Sequence, residues 1–167
     1  MIRAARPQEI AQLPQIENAA DRRYARVGLA RVLAMAPVSL ASLEQARRAR
    51  RLWVAVTPTN RVVGFALMTR VGDAAWLEQL SVLEPWQGRG LGSALIARCA
   101  AAAGERGHPW LHLSTYLDVP WNAPFYVRRG FAPLPRGGWP LAFRRQVAIE
   151  ISHGHPPWRR TVLRRAV

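Results

Sequence analysis

Hydrophobic and polar positions fall into short blocks whose period changes along the chain. Ile2–Ala5 (IRAA) reads as a short strand, ended by Pro7. Helical stretches follow from about Gln8 to Ala20. The stretch from Asp21 to Val38 shows no steady period, and Gly28 and Pro37 interrupt it. Ser39 stands where a helix running to Arg50 needs a cap, with Ser42 as a second candidate. Leu52–Thr57 and Val62–Val71 are apolar and β-branched, and Pro58-Thr59-Asn60 between them predicts a hairpin turn. Gly72-Asp73 marks the next turn, and Ala74–Val82 the next strand, with strand character reaching Leu83. Ser93–Arg106 is helix-like, and Trp110–Thr115 is an apolar strand. A Pro/Gly-rich loop (Pro133–Pro140), a helix (Leu141–Ser152) and a last strand (Arg159–Ala166) close the chain. The predicted order is β-α-α-β-β-β-α-β-α-β. It lacks the regular alternation of a doubly wound dinucleotide fold.

The densest chemical signal is Gln87-Gly88-Arg89-Gly90-Leu91-Gly92-Ser93, between the Trp76–Leu83 strand and the Ser93–Arg106 helix. Glycines let the backbone turn sharply and converge several N–H groups at a helix start, where partial positive charge favours phosphate. Two familiar phosphate loops fail on specific residues. The dinucleotide fingerprint would need its third glycine at position 93, which is serine. The Walker loop needs a lysine after Gly92, and the chain contains none.

Gln87, Gly90 and Gly92 make the pattern Q-x-x-G-x-G, which resembles the acetyl-CoA pyrophosphate loop of the GNAT (Gcn5-related) N-acetyltransferases. A second block, Asn122-Ala123-Pro124-Phe125-Tyr126-Val127-Arg128-Arg129-Gly130-Phe131, resembles that family's later motif at the separation the family shows. The resemblance is specific from about Trp76 to Phe131. It implies an α+β fold: a single domain over residues 1–167, with a mixed sheet flanked by helices and a splay between the fourth and fifth strands.

The resemblance also implies roles. Leu80, Ser81 and Val82 would offer backbone groups to the pantetheine arm in the manner of an added strand. One N–H there would polarise the thioester oxygen. Gln87, Gly88, Arg89, Gly90, Leu91, Gly92 and Ser93 would hold the pyrophosphate. Asn122 would bond the coenzyme arm or cap the helix carrying Tyr126. Tyr126 would be the general acid, because a phenol of pKa about 10 keeps its proton for a departing thiolate. Glu78, a carboxylate within an apolar strand, is the candidate general base, directly or through a water. His112 is the alternative base and Ser114 a cleft neighbour, both on the following strand. Glu17 on the first helix is a weaker candidate for contacting the acceptor.

Size and composition narrow the picture further. A chain of 167 residues with 50% hydrophobic content is large enough for one domain with a real core. It has no apolar run of membrane-spanning length, and its N-terminus has no signal-peptide core. Cys99, the only cysteine, sits in an apolar helical stretch, so it reads as a core residue in a reducing cytoplasm. His153 and His155 read as a loop pair, and no metal is expected. All 24 basic residues are arginine, and the formal net charge is +14. Nucleic-acid binding, attraction of the phosphates of coenzyme A and compositional bias compete to explain it. The basic residues lie in small scattered groups and form no tail or stripe, which favours compositional bias as the main cause. The surplus points away from a polycationic acceptor, towards an amino acid or another small amine bearing a carboxylate. Trp121, Trp139 and Trp158 are candidates to line the acceptor side.

The resulting expectation is a cytoplasmic acetyl-CoA-dependent N-acetyltransferase, monomeric or homodimeric, with a small-molecule amine as acceptor. A non-catalytic CoA-binding sensor or partner-binding module, and a basic nucleic-acid binder, are the alternatives.

Overall fold

The computed structural model describes residues 1–167. Its seven strands are β1 (Ile2–Ala4), β2 (Leu52–Val56), β3 (Val62–Val71), β4 (Ala74–Val82), β5 (Trp110–Tyr116), β6 (Ala132–Leu134) and β7 (Arg160–Ala166). They form one sheet in the order β1-β2-β3-β4-β5-β7-β6. All neighbours are antiparallel except β4 and β5, which run parallel. The helices are α1 (Leu13–Asp21), α2 (Leu40–Arg48), α3 (Leu91–Gly104), α4 (Ala123–Val127) and α5 (Leu141–Ser152).

The helices cover both faces. Leu95, Ile96 and Cys99 of α3 pack on Leu77, Leu111 and Leu113. On the other face, Leu13 and Ile16 of α1 and Leu43 of α2 meet Val54, Phe65 and Leu67. Phe143 and Val147 of α5 cover Trp76 and Val162. Strand β2 is buried at every position, as a strand covered on both sides must be, and so it shows no alternation. Burial of Leu95 and Ile96 contributes roughly 1.5–3 kcal/mol each. That outweighs the ~1 kcal/mol that Gly92 costs in the first turn of α3. No helix is long and apolar enough to cross a membrane.

Several predicted boundaries coincide with the observed ones, notably those of β3, β4 and α5. Ser39 caps α2, its hydroxyl accepting from the Ser42 N–H at 3.1 Å. Asn60 takes a left-handed φ of 63° in the hairpin turn. The helical stretch over residues 8–20 resolves into a 3-10 segment, Pro7–Gln12, followed by α1. Other expectations need correction. Asp21–Val38 holds two more 3-10 segments, Arg22–Val27 and Ala30–Ala34, separated by left-handed Gly28. Helix α3 begins at Leu91, two residues before Ser93, because left-handed Gly90 already turns the chain. The supposed loop after Phe131 contains β6, which pairs with β7 at the sheet edge, where a proline such as Pro133 is tolerated.

The sheet is opened at its centre. Strands β4 and β5 pair only at Ala75–Leu111 and Trp76–His112. Along the β3–β4 ladder, Leu67 faces Gln79 and Met68 faces Leu77, so Glu78 is the extra residue of a bulge. Beyond it the two parallel strands diverge, and the slot between them leads into the site.

Candidate active site

The glycine loop follows β4 directly. Gly88 and Gly90 have φ of 73° and 79°, a region that side-chain-bearing residues rarely occupy. Gly92 is favoured for a different reason: a Cβ there would lie 3.2 Å from Phe125 Cζ, tight enough that the ring would have to shift. The loop and the start of α3 border a cavity of about 290 Å³, walled opposite by Leu80, Val82, Trp121, Phe125 and Tyr126. Three side chains fix its shape. Gln87 Nε2 donates to the Val82 carbonyl at 2.7 Å, and Gln87 Oε1 accepts from Arg23 at 3.0 Å. Arg129 Nε donates to Ser93 Oγ at 2.7 Å while its guanidinium lies over the Phe125 ring. Arg89 stacks over Trp86 at the rim. Converging amides, two left-handed glycines and nearby arginines fit a diphosphate.

Backbone direction along β4 decides which groups face the slot. The Val82 carbonyl points to the open edge, since Gln87 takes it, while the Leu83 N–H bonds back to Val63 on β3. Strand groups alternate sides, so Leu80 shares the open edge with Val82, and Ser81 faces β3. In agreement, a Cβ built on Gly64 of β3 would come within 2.7 Å of the Ser81 carbonyl. Ser81 is buried, its hydroxyl accepting from Gln79. Of the three residues expected to meet the coenzyme arm, two present backbone to the slot and one does not.

Asn122 precedes α4, but its side chain makes no cap hydrogen bond. Its Nδ2 donates to Thr115 Oγ1 at 2.8 Å, and its amide also pairs with the Tyr24 hydroxyl at 3.1 Å. The expected capping role is therefore replaced by a tie between α4, β5 and the segment after α1. Tyr126 is held edge-on by Phe125 and Phe131. Its hydroxyl has no protein hydrogen-bond partner, and burial raises its pKa, which keeps the proton in place.

A second, larger cleft of about 590 Å³ adjoins the first. The two share Arg23, Tyr24, Leu80, Asn122 and Tyr126. Glu78 lines the larger one. Its side chain is exposed where it opens to the cleft, and desolvation by the surrounding atoms pushes its pKa up to about 7. Nearby Glu150 pushes the same way, and Arg160 opposes. Glu150 and Arg160 pair at 2.6 Å, and both bond Ser114 Oγ. Glu17 is buried, accepts from the Val38 N–H at 3.1 Å and is pushed by burial to about 7. Asp21 is raised to about 6, again mainly by burial.

His112 is not in this cleft. It is buried under α5, against Trp76 and Phe143, and burial lowers its pKa. It has no route to an acceptor amine, which removes it as the alternative base. The three tryptophans also separate. Trp139 is buried, its indole donating to the Leu134 carbonyl, Trp158 is exposed, and Trp121 lines the smaller cavity beneath Arg23. Sequence reasoning missed Arg23, Tyr24, Arg129, Glu150 and Arg160. Arg129 lay within a motif block and was recoverable from it; the others become neighbours of the site only through the tertiary fold.

Comparison with known proteins agrees with this geometry. Residues 48–133 match the family model described as an acetyltransferase (GNAT) domain, a stretch that holds both motif blocks. The [ribosomal protein bS18]-alanine N-acetyltransferase of Haemophilus influenzae is 26% identical over 113 residues, covering 62% of this chain and 77% of the relative. Among solved structures, Rv2747 of Mycobacterium tuberculosis, in complex with CoA and NLQ, superposes with a TM-score of 0.74 at 16% identity. That match covers 100% of this chain and 99% of the other. The N-acetylglutamate synthase of Neisseria gonorrhoeae, complexed with coenzyme A and N-acetyl-glutamate, gives 0.72 at 19% identity. It covers 99% of this chain but 34% of the larger protein. At such identities the structural likeness speaks for the fold.

Proposed function

The chain belongs to the GNAT acetyltransferase family, and from that premise we propose that it transfers acetyl from acetyl-CoA to a small-molecule primary amine, directly, in a ternary complex. The observation that carries this reading is the junction of the two cavities. A donor held along β4 and the glycine loop would bring its thioester to the shared wall of Leu80, Asn122 and Tyr126. An amine entering the larger cleft would meet it there, beside Glu78.

Acetyl-CoA supplies the acetyl group as a thioester; the chain supplies binding, orientation and proton transfer. An alkyl amine has a pKa of about 10 and must lose a proton to attack. Glu78, raised to about 7, is partly ionised at neutral pH and strong enough as a base to relay that proton, directly or through water. Backbone N–H groups on the open edge of β4 at Leu80 and Val82 would stabilise the developing oxyanion. The Tyr126 hydroxyl, protonated and free of other partners, gives its proton to the leaving thiolate. Gln87 to Ser93 would hold the pyrophosphate, with Arg129 adding charge.

The relative from Haemophilus favours a second reading, in which the amine is the N-terminus of a peptide. A free-thiol assay over amino acids, polyamines, aminoglycosides and alanine-starting peptides separates the two. Turnover of small amines supports the first reading, and turnover confined to peptides replaces it with the second. Coenzyme binding without transfer to any amine would leave only a CoA sensor. The lone Cys99, buried and unpaired, is in keeping with a cytoplasmic setting.

A further inference from the structure

The acidic residues divide in a way the net charge conceals. The chain has ten of them against 24 arginines. Eight ion pairs, two sharing Glu44, engage seven of the ten. The remaining three are Glu17, Asp21 and Glu78, and all three line the larger cleft. In a protein with so many arginines, three carboxylates without ion pairs gathered in one cleft are not what random placement of charge gives.

Their setting is unfavourable without a ligand. Glu17 and Asp21 stand four residues apart on α1, a spacing at which like charges repel. Glu17 is 7% exposed. One of its oxygens accepts from Val38, and the other has no protein donor although the side chain lines the cleft. Most cations facing the cleft are engaged by other groups, though Arg23 partly offsets the charge of Asp21. Arg160 is committed to Glu150, Arg70 to Asp73, and Arg23 to Gln87 and the Trp121 ring. Arg51 also lines the cleft and makes no ion pair. His155 is bonded to the Tyr116 hydroxyl and pushed down to about 4, so it is neutral at pH 7, and His153 lies beside it.

A reacting amine must be neutral when it attacks, so it can answer only Glu78, as a proton donor. Glu17 then still lacks a counter-charge, and Asp21 has only Arg23 nearby, not bonded to it. We infer that the acceptor carries a second cationic nitrogen: a linear diamine or polyamine, with its reacting amine at Glu78 and its distal ammonium held by Glu17 and Asp21. This rests on the acetyltransferase reading and names its substrate class. It reverses the expectation drawn from net charge, because the local field of the cleft, not the surplus of the whole surface, meets the acceptor.

The test compares three four-carbon acceptors with saturating acetyl-CoA: putrescine, butylamine and γ-aminobutyrate. The expected order of kcat/KM is putrescine first by about tenfold to a hundredfold, the range for one charge-assisted contact, with γ-aminobutyrate last. In Glu17→Gln and Asp21→Asn variants, alone and together, the putrescine-to-butylamine preference should fall towards unity, chiefly through KM. Gln at position 17 keeps an acceptor for Val38, and thermal melts report whether each variant folds. Equal rates with the three amines, a preference that survives both substitutions, or faster turnover of alanine-starting peptides would overturn the inference. Absence of transfer to every amine would instead remove the acetyltransferase reading beneath it.

Discussion

The Glu17 carboxylate accepts a hydrogen bond from the Val38 N–H at 3.1 Å and pairs with no arginine. Its pKa stands at about 7 against a usual 4.5 because burial disfavours its charge. A raised folded-state pKa stabilises the fold fully below the unfolded value and loses that contribution as pH rises through the folded one. The protein should therefore become less stable between pH 4.5 and about 7 on account of Glu17. Thermal melts of Glu17→Gln should show a smaller decline over that range than wild type. Parallel curves would mean that Glu17 is not held in this state.

Glu78 predicts a kinetic counterpart. With its pKa raised to about 7, kcat/KM for a fixed amine should climb as pH passes through that value, on top of the amine's own titration. Glu78→Gln should lower kcat by about 10²–10⁴-fold, the usual share of a general base. It should also abolish the limb near neutrality. A variant that keeps that limb would hand the base role to another group or to water.

The strand and helix pattern was legible where residues pack by their own period. The apolar runs of β3 and β4 and the α5 segment carry their boundaries in composition. The glycine loop was legible because φ near 75° leaves few residue choices. What was not legible depends on partners far along the chain. Tyr24 and Asn122 meet across 98 residues, and Ser114, Glu150 and Arg160 form a cluster that no local window contains. His112 alternates correctly with Ser114 along β5, yet α5 covers one and the cleft opens on the other. Strand β6 was hidden because proline and glycine signal a loop, whereas an edge strand needs only one bonded side.

The loop glycines should fail in two distinct ways. Gly90→Ala meets no neighbouring atom but must hold φ near 79°, at a cost of about 1–2 kcal/mol. If that strain falls on the donor-binding shape, acetyl-CoA affinity drops by roughly tenfold, since 1.4 kcal/mol is tenfold. Gly92→Ala presses on Phe125 at 3.2 Å and should displace α4 with Tyr126, lowering kcat as well. Calorimetric titration with CoA, paired with kinetics, distinguishes the two; unchanged affinity in both variants contradicts the loop's role.

Cys99 is fully buried in the α3 core, and burial pushes its thiol up to about 12. It should not react with DTNB in the native protein and should react once in denaturant. Rapid native labelling would show that α3 does not pack as described. The outcome has practical weight, because the same reagent reports released CoA.

The central claim is acetyl transfer at the meeting of the two cavities, with Tyr126 protonating the thiolate. It is tested most directly by steady-state transfer from acetyl-CoA to an amine, comparing wild type with Tyr126→Phe. The account predicts measurable wild-type turnover, and in the variant a kcat lower by about 10²-fold or more with KM for acetyl-CoA nearly unchanged. A variant as active as wild type, or one whose loss lies in coenzyme binding alone, would contradict it.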